Sequence, residues 1–178
     1  MQERKPNRLS GFDYSQGGYY FVTICVKDRV HLFGEIIDGE MILSETGQIV
    51  QNELLKIPQT FRNALVDYWV VMPNHIHAII NIRRGLIHQT PMNDADMHDG
   101  GMINHAPTVV KPWQLMKRSD VPLGKIVRHY KAKTTKLIHD KNITFSWQRN
   151  FHDHIIRTEK SLNKTRQYIL SNPILNSI

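Results

Sequence analysis

Residues 66–82, VDYWVVMPNHIHAIINI, contain two apolar runs with one break between them. Both runs are rich in β-branched and aromatic side chains, and each has the length of an ordinary strand. The break is the dipeptide Pro73-Asn74, whose residue types are typical of turns. We therefore predict strands over residues 66–72 and 75–82, joined either as a tight hairpin or as one bent strand.

The chain on either side of this stretch carries further strand and helix signals. Residues 19–26 predict a strand that is buried on both faces, because it lacks clean polar alternation. Asp38-Gly39, between two apolar runs, predicts a hairpin. Apolar periodicity, capping residues and prolines predict the remaining elements. These are a helix from Glu45 to Ile57 with Ser44 as its cap and Pro58 at its end, a helix from Leu123 to His139, a strand from Phe151 to Arg157, and a helix from Glu159 to Ser171 with Thr158 as its cap and Asn172-Pro173 at its end.

The composition of the 178 residues indicates one globular domain, spanning residues 1–178, with a basic surface. Hydrophobic residues make up 40%, and Lys plus Arg number 23 against 16 Asp plus Glu, for a formal net charge of +7. This excess of positive charge suits a polyanionic partner such as nucleic acid, although a merely basic soluble protein has the same balance. Residues 1–18 form a polar arm in this interpretation. Residues 83–121, with scattered Gly and Pro and no persistent period, form a flexible insertion.

Several sequence features favour the cytoplasm. Cys25 is the only cysteine, so the chain cannot form an internal disulfide, and its apolar surroundings are typical of a core position. The first residues lack the apolar segment of a signal peptide, and no apolar run approaches the ~20 residues that span a bilayer. We therefore expect a cytoplasmic protein without a membrane partner.

The most specific local pattern is a pair of histidines, His75 and His77, on the predicted strand 75–82. Alternate side chains of a strand share a face, so the two imidazoles point the same way with Cα atoms roughly 6.8 Å apart. Two imidazoles so placed can hold one divalent ion, whereas Ile76 between them faces a core. The alternative is a pair of histidines on a half-buried strand with no metal.

A second histidine pair, His152 and His154, flanks Asp153 and lacks an apolar anchor. We interpret His154 as a residue that supports a metal ligand or contacts the substrate, and His152 as ordinary.

The predicted helices carry two further candidate surfaces. Helix 123–139 has a basic face, which is either a solvated face or a phosphate-contacting surface. Three of its residues are candidate DNA contacts, namely Arg128, Lys131 and Lys133. On the last helix, Tyr168 and Asn172 are four residues apart and so share a face. Spacing alone favours an ordinary packing role for this tyrosine.

Four segments together change that assessment. They are residues 18–29, GYYFVTICVKDR; residues 71–77, VMPNHIH; residues 147–157, WQRNFHDHIIR; and residues 166–173, RQYILSNP. In this order they resemble the IS200-like transposases, in particular the branch of REP-associated tyrosine transposases, a group of single-tyrosine HUH enzymes. The resemblance covers most of the chain apart from the insertion.

The resemblance implies an α+β fold with a central antiparallel sheet flanked by helices, of the ferredoxin-like HUH endonuclease type. It also implies that His75 and His77 bind a divalent metal ion, Mg²⁺ or Mn²⁺, and that Tyr168 is the nucleophile. Asn172 falls where relatives carry a glutamine as a third ligand, and an asparagine is shorter. Tyr130 is the rival nucleophile.

The implied reaction cuts single-stranded or hairpin DNA and leaves a 5′-phosphotyrosine. Four cations are candidates to favour the phenolate, namely Arg149, Lys160, Lys164 and Arg166. Three residues in this part of the chain are candidate DNA contacts, namely Arg149, Arg157 and Lys164. The resemblance leaves open whether the protein works as a monomer or a homodimer.

Two other functions remain open at this point. One is a metal-dependent hydrolase in which His75, His77 and His154 activate water. The other is a catalytically silent DNA-binding protein of the same fold.

Overall fold

The structure is a computed structural model that describes residue 14, residues 17–83 and residues 122–175, with side chains described up to residue 172. Almost all of the predicted arm 1–18 and of the predicted insertion 83–121 lies outside the described residues. The elements in chain order are β1 Gly18–Cys25, a 3₁₀ turn Lys27–Arg29, β2 Gly34–Ile37, β3 Glu40–Leu43, α1 Glu45–Leu55, α2 Ile57–Thr60, β4 Ala64–Met72, β5 His75–Ile82, α3 Leu123–His139, β6 His152–Ile156 and α4 Glu159–Leu175.

Four of the strands form one antiparallel sheet in the order β4-β5-β1-β6, and β2 with β3 forms a separate hairpin. Helices α1 and α3 pack on one face of the sheet in the main core, and α4 packs on the other face in a smaller cluster. The predicted α+β fold, with a central antiparallel sheet flanked by helices, is confirmed. None of the helices in the described part of the chain is both long and apolar enough to cross a bilayer.

The period of two along β1 divides its side chains between the two faces of the sheet. Tyr20, Val22 and Ile24 enter the main core, whereas Tyr19 packs with Ile79 on the α4 side. Because both faces are covered, the strand has no solvent side, and this explains the missing polar alternation. Cys25 is buried, as predicted.

Both predicted hairpins form. Pro73-Asn74 joins β4 to β5 as a tight antiparallel hairpin, so the bent-strand alternative is wrong. Asp38 and Gly39 have φ values of 50° and 82°. Positive φ at both central residues is what a two-residue turn needs to match the twist of the strands it joins.

The structure corrects two predicted helix ends. Helix α1 begins at the predicted Ser44 cap, whose hydroxyl accepts from the Gly47 amide, but it ends at Leu55. Pro58 instead occupies the first turn of α2, where a residue without an N–H costs nothing.

Helix α3 has the predicted bounds, whereas α4 runs on to Leu175, past the predicted end at Ser171. A proline past the first turn loses one backbone hydrogen bond and its ring crowds the carbonyl four residues earlier, which is why Pro173 predicts a helix end, yet the helix continues for two residues beyond it. The predicted cap is present, because the Thr158 hydroxyl accepts from the Ser161 amide at 3.1 Å.

Candidate active site

His75 and His77 project from the start of β5 onto the face of the sheet that α4 covers. Their Nε2 atoms are 3.1 Å apart, and their rings meet edge to face with centroids separated by 4.6 Å. Ile76, between them, is fully buried in the main core on the other face. The strand therefore orients the two imidazoles toward one point, as its alternation predicts.

The Nδ1 atom of each imidazole lies within hydrogen-bond distance of a side-chain oxygen. His75 Nδ1 lies 2.7 Å from Asn74 Oδ1, and His77 Nδ1 lies 2.9 Å from the hydroxyl of Thr23. An N–H at Nδ1 that donates to such an oxygen leaves the lone pair of Nε2 free to bind a metal, and it fixes the orientation of the ring.

Thr23 and Asn74 contact the two candidate metal ligands, and the sequence analysis singled out neither of them. Asn74 directly precedes the candidate ligand His75, so the sequence alone could have suggested it as a contact of that histidine. Thr23 lies 54 positions away, and only the β1–β5 register places it opposite His77.

Burial lowers the pKa of both imidazoles. The pKa of His75 falls to about 4 through desolvation, with a further contribution from the positive charge of Arg29. The pKa of His77 falls to about 3 through desolvation and the neighbouring His75. Both rings are therefore neutral at pH 7, which is the state in which an imidazole binds a metal.

The two histidines fit a divalent ion. Two nitrogens 3.1 Å apart can bind the same ion, because each metal–nitrogen bond is about 2.1 Å long. The described residues contain no group of three or more His, Cys, Asp or Glu side chains that could close a metal site. Two imidazoles leave coordination positions open, as catalytic sites do and structural zinc sites do not. Asn172, the candidate third ligand, is buried on α4 one turn beyond Tyr168.

Tyr168 projects from α4 beside the histidines. Its hydroxyl oxygen is 3.5 Å from His77 Nε2, and the two ring centroids are 5.5 Å apart. Phe21 stacks on His77 at 5.1 Å and meets Tyr168 edge to face at 6.0 Å. Tyr168 is nonetheless 45% exposed. An exposed phenol against the buried imidazole of His77 is accessible to a substrate, unlike a tyrosine that only fills a core.

The rival tyrosine lies elsewhere. Tyr130 is 2% exposed in the main core, on the opposite face of the sheet, and its hydroxyl donates to the Val50 carbonyl at 2.9 Å. Burial raises the pKa of Tyr130 well above its usual value, with Glu53 adding to the effect. Both features suit a structural tyrosine.

The predicted DNA contacts occupy different faces of the molecule. Arg128 and Lys133 are exposed on α3, which covers the sheet face opposite the histidines. Three others are exposed along the chain from the loop before β6 to α4, namely Arg149, Arg157 and Lys164. His154 is exposed on β6 opposite Phe21, and paired residues of an antiparallel sheet share a face, so it lies on the histidine side.

Lys131 has a structural contact that the sequence does not show. Its ammonium donates to the carbonyls of Gln148 and Asn150 at 2.7 and 2.9 Å. The Gln148 amide in turn donates to the carbonyl of Cys25, which lies opposite His75 in the sheet. Lys131 thus fixes the loop that places Arg149 near the histidine end of the sheet.

Sequence comparison finds a relative along almost the whole chain. No known family profile matches the sequence. An uncharacterised protein of Haemophilus influenzae is 37% identical over 177 residues, which are 98% of this chain and 91% of the relative. The chain belongs to the same family as this protein.

Two further comparisons connect the chain with transposases. A second Haemophilus influenzae protein, provisionally named a REP-associated tyrosine transposase, is 27% identical over 164 residues, 91% of this chain and 73% of the relative. The solved structure of a REP-associated tyrosine transposase bound to a REP hairpin matches 99% of this chain and 75% of its own, with a TM-score of 0.59 and 19% identity. The chain therefore has the fold of a REP-associated tyrosine transposase, and the resemblance predicted from the four sequence segments is confirmed.

Proposed function

We propose that the chain is a metal-dependent DNA endonuclease and strand transferase that acts on single-stranded or hairpin DNA through a covalent bond to Tyr168. The observation that carries this proposal is the cluster of the Tyr168 hydroxyl, His77 Nε2 and His75 Nε2, with consecutive separations of 3.5 and 3.1 Å. Relatives named as transposases, one of them solved with a REP hairpin, support the choice of DNA as substrate.

His75 and His77 would hold the ion, Mg²⁺ or Mn²⁺, with Asn172 as the candidate third ligand. A bound divalent ion polarises the phosphate and offsets the charge that grows on its oxygens during attack. Imidazole and amide donors do not select one such metal, so the donor set leaves the choice between the two ions open.

Tyr168 would perform the covalent step. Its phenol gives up its proton to solvent and the oxygen attacks the phosphorus, the bond from phosphorus to the 3′ oxygen breaks, and that 3′ oxygen takes up a proton from solvent to become a free hydroxyl. The 5′ end remains bonded to Tyr168 as a phosphodiester. Because one phosphodiester replaces another, an incoming 3′ hydroxyl can reverse the step without an added energy source.

One chain supplies all three side chains of the cluster, since Tyr168 lies against the histidines of its own β5. We therefore propose that a monomer has a complete site, and that a homodimer is not needed to assemble it.

The test is a covalent-adduct assay with a labelled hairpin oligonucleotide and Mn²⁺. The wild-type protein is expected to form an adduct that survives denaturation, and Tyr168→Phe to form none while it still binds the DNA. Tyr130→Phe is the matched control and keeps adduct formation, because its hydroxyl is engaged in the core. If Tyr168→Phe cuts the DNA at the wild-type rate, the protein is instead a hydrolase that uses water.

A further inference from the structure

The contact of α4 with the sheet is small for the helix that carries the candidate nucleophile. Leu162 and Ile169 are its buried apolar residues in the described part of the helix. By contrast, α3 buries Leu123, Ile126, Val127, Tyr130, Thr134 and Ile138. Leu162 and Ile169 are seven positions apart and so lie two turns from each other along one line. These two apolar contacts on one line resist tilting of the helix but only weakly resist rolling about its own axis, and the buried Asn172 adds a polar contact only near the end of the helix.

An ion pair lies to one side of that line. The guanidinium of Arg166 donates two hydrogen bonds to the carboxylate of Asp67, from Nε to Oδ2 at 2.8 Å and from Nη2 to Oδ1 at 2.9 Å. The side chain of Asp67 is 7% exposed and that of Arg166 26%. A two-pronged contact of this kind fixes direction as well as distance. A partly buried pair is also screened less by solvent than a surface pair.

An irregularity in strand β4 brings Asp67 into this contact. The β4–β5 register shifts between Val66 and Trp69, where three steps along β4 match two along β5. Such a bulge changes the direction of side chains that would otherwise alternate between the two faces of the sheet. As a result Asp67 and Tyr68, although adjacent, both reach α4, and the Arg166 guanidinium lies 5.1 Å from the centre of the Tyr68 ring.

Arg166 and Tyr168 lie on opposite sides of the apolar line. Successive helix positions turn by about 100°, which places Arg166 on the flank facing β4 and Tyr168 on the flank facing β5 and β1. A roll of about 10° moves an atom at the helix surface, ~6 Å from the axis, by about 1 Å. A displacement of this size is enough to slow a reaction that depends on alignment.

We propose that the Asp67–Arg166 ion pair is a positioning device that fixes the roll of α4 and so holds the Tyr168 hydroxyl at the two histidines. This inference rests on the proposed function, in which Tyr168 is the nucleophile. It gives Arg166 a role different from supplying positive charge to a phenolate, because its charge is already paired with Asp67.

The experiment compares Asp67→Asn, Arg166→Gln and the double variant by three measurements. These are the single-turnover rate of adduct formation with a labelled hairpin oligonucleotide, the Kd for that oligonucleotide, and the hydrogen exchange of backbone amides. Lys141→Gln is the matched control, because it breaks an ion pair of 2.8 Å to Glu45 that is exposed and remote from α4.

Each single variant is expected to slow adduct formation roughly 10- to 100-fold while changing the Kd by less than about threefold. The double variant is expected to be no slower than the worse single variant, because each single change already breaks the same contact. Exchange should increase in α4 and stay at the wild-type level in β1 and β5, and Lys141→Gln should match the wild type throughout.

Three outcomes overturn the inference: single variants with the wild-type rate, additive losses in the double variant, or faster exchange throughout the sheet, which indicates a general structural role. A wild-type protein that forms no adduct overturns the proposed function instead. In that case faster exchange confined to α4 in Asp67→Asn still supports the positioning role, and unchanged exchange there overturns it.

Discussion

The two candidate metal ligands depend on residues that are not ligands. Thr23 and Asn74 each present an oxygen to an Nδ1 atom, so both imidazoles keep Nε2 directed at the same point. Sequence alternation was enough to place His75 and His77 on one face. The partner of His77 was not predictable, because the contact to Thr23 exists only once β1 and β5 pair in their observed register.

Removal of the Thr23 hydroxyl is predicted to weaken metal binding. Valine has nearly the same shape as threonine, so Thr23→Val deletes the support of His77 without opening a large cavity. The affinity for Mn²⁺ should fall roughly 10- to 100-fold, as is typical when such an outer partner is lost. Isothermal titration calorimetry measures it. Thr135→Val is the control, since that hydroxyl bonds to the Lys131 carbonyl within α3. Equal affinities of Thr23→Val and wild type would show that the contact is irrelevant to the metal.

The desolvation of the two imidazoles also predicts acid sensitivity. In the folded chain the pKa is about 4 for His75 and about 3 for His77, against 6.5 as the ordinary value. Between pH 6.5 and about 4 the unfolded chain therefore binds protons that the folded chain does not, and the free energy of unfolding falls as the pH is lowered through this window. Well above pH 6.5 both states are neutral at these positions and their contribution is constant.

Urea unfolding from pH 7.5 to 4.5, with a chelator present, measures this effect. The variant with both His75→Gln and His77→Gln is expected to lose less stability on acidification than the wild type does. Parallel pH profiles for the two proteins would mean that the two histidines do not titrate as inferred.

At the scale of elements, local signals predicted most strands and the whole of α3, whereas two helix ends were wrong. Pro58 predicts the end of a helix, but a proline is equally compatible with the first turn of the next helix, where the structure has it. The Asp67–Arg166 contact joins residues 99 positions apart through a bulge. The periodicity of a sequence cannot reveal a bulge, because a bulge interrupts the alternation of side chains between the two faces of a strand.

Because Tyr130 joins α3 to α1, we predict that Tyr130 and Tyr168 contribute differently to the free energy of unfolding. Tyr130→Phe removes a buried hydrogen bond to the Val50 carbonyl, which keeps its helical donor within α1, at a cost of about 0.5–1.5 kcal/mol in the free energy of unfolding. Tyr168→Phe removes an exposed hydroxyl and is expected to change stability by less than about 0.5 kcal/mol. Chemical denaturation of both variants checks the contrast. A larger loss for Tyr168→Phe than for Tyr130→Phe would reverse the assignment of the two roles.

At the scale of the whole molecule, the sheet separates a helical core on one face from the candidate site on the other. The net charge of +7 predicts salt-dependent DNA binding but not the face that binds. The structure favours the loop of residues 148–150, which is anchored beside the end of β1 opposite His75.

Replacement of one cation in that loop tests this preference. Arg149→Gln is predicted to reduce the slope of log affinity against log salt concentration by about one, the change expected when one phosphate contact is lost. Fluorescence anisotropy with a labelled hairpin, titrated at several salt concentrations, gives the slope. Lys56→Gln is the control, because that ammonium pairs with Glu53 next to the C-terminal end of α1. The same slope for Arg149→Gln and wild type would place the DNA elsewhere.

Peptide mapping of the trapped protein–DNA adduct tests most directly whether the histidine pair and α4 form one active site. The geometry predicts that the nucleotide is attached to Tyr168, the exposed phenol 3.5 Å from His77. After digestion with nuclease and protease, the peptide that contains Tyr168 should therefore carry the added mass of the residual nucleotide, and the peptide that contains Tyr130 should be unmodified. A modified Tyr130 peptide with residues 167–172 unmodified would contradict the assignment of Tyr168 and, with it, the role proposed for α4.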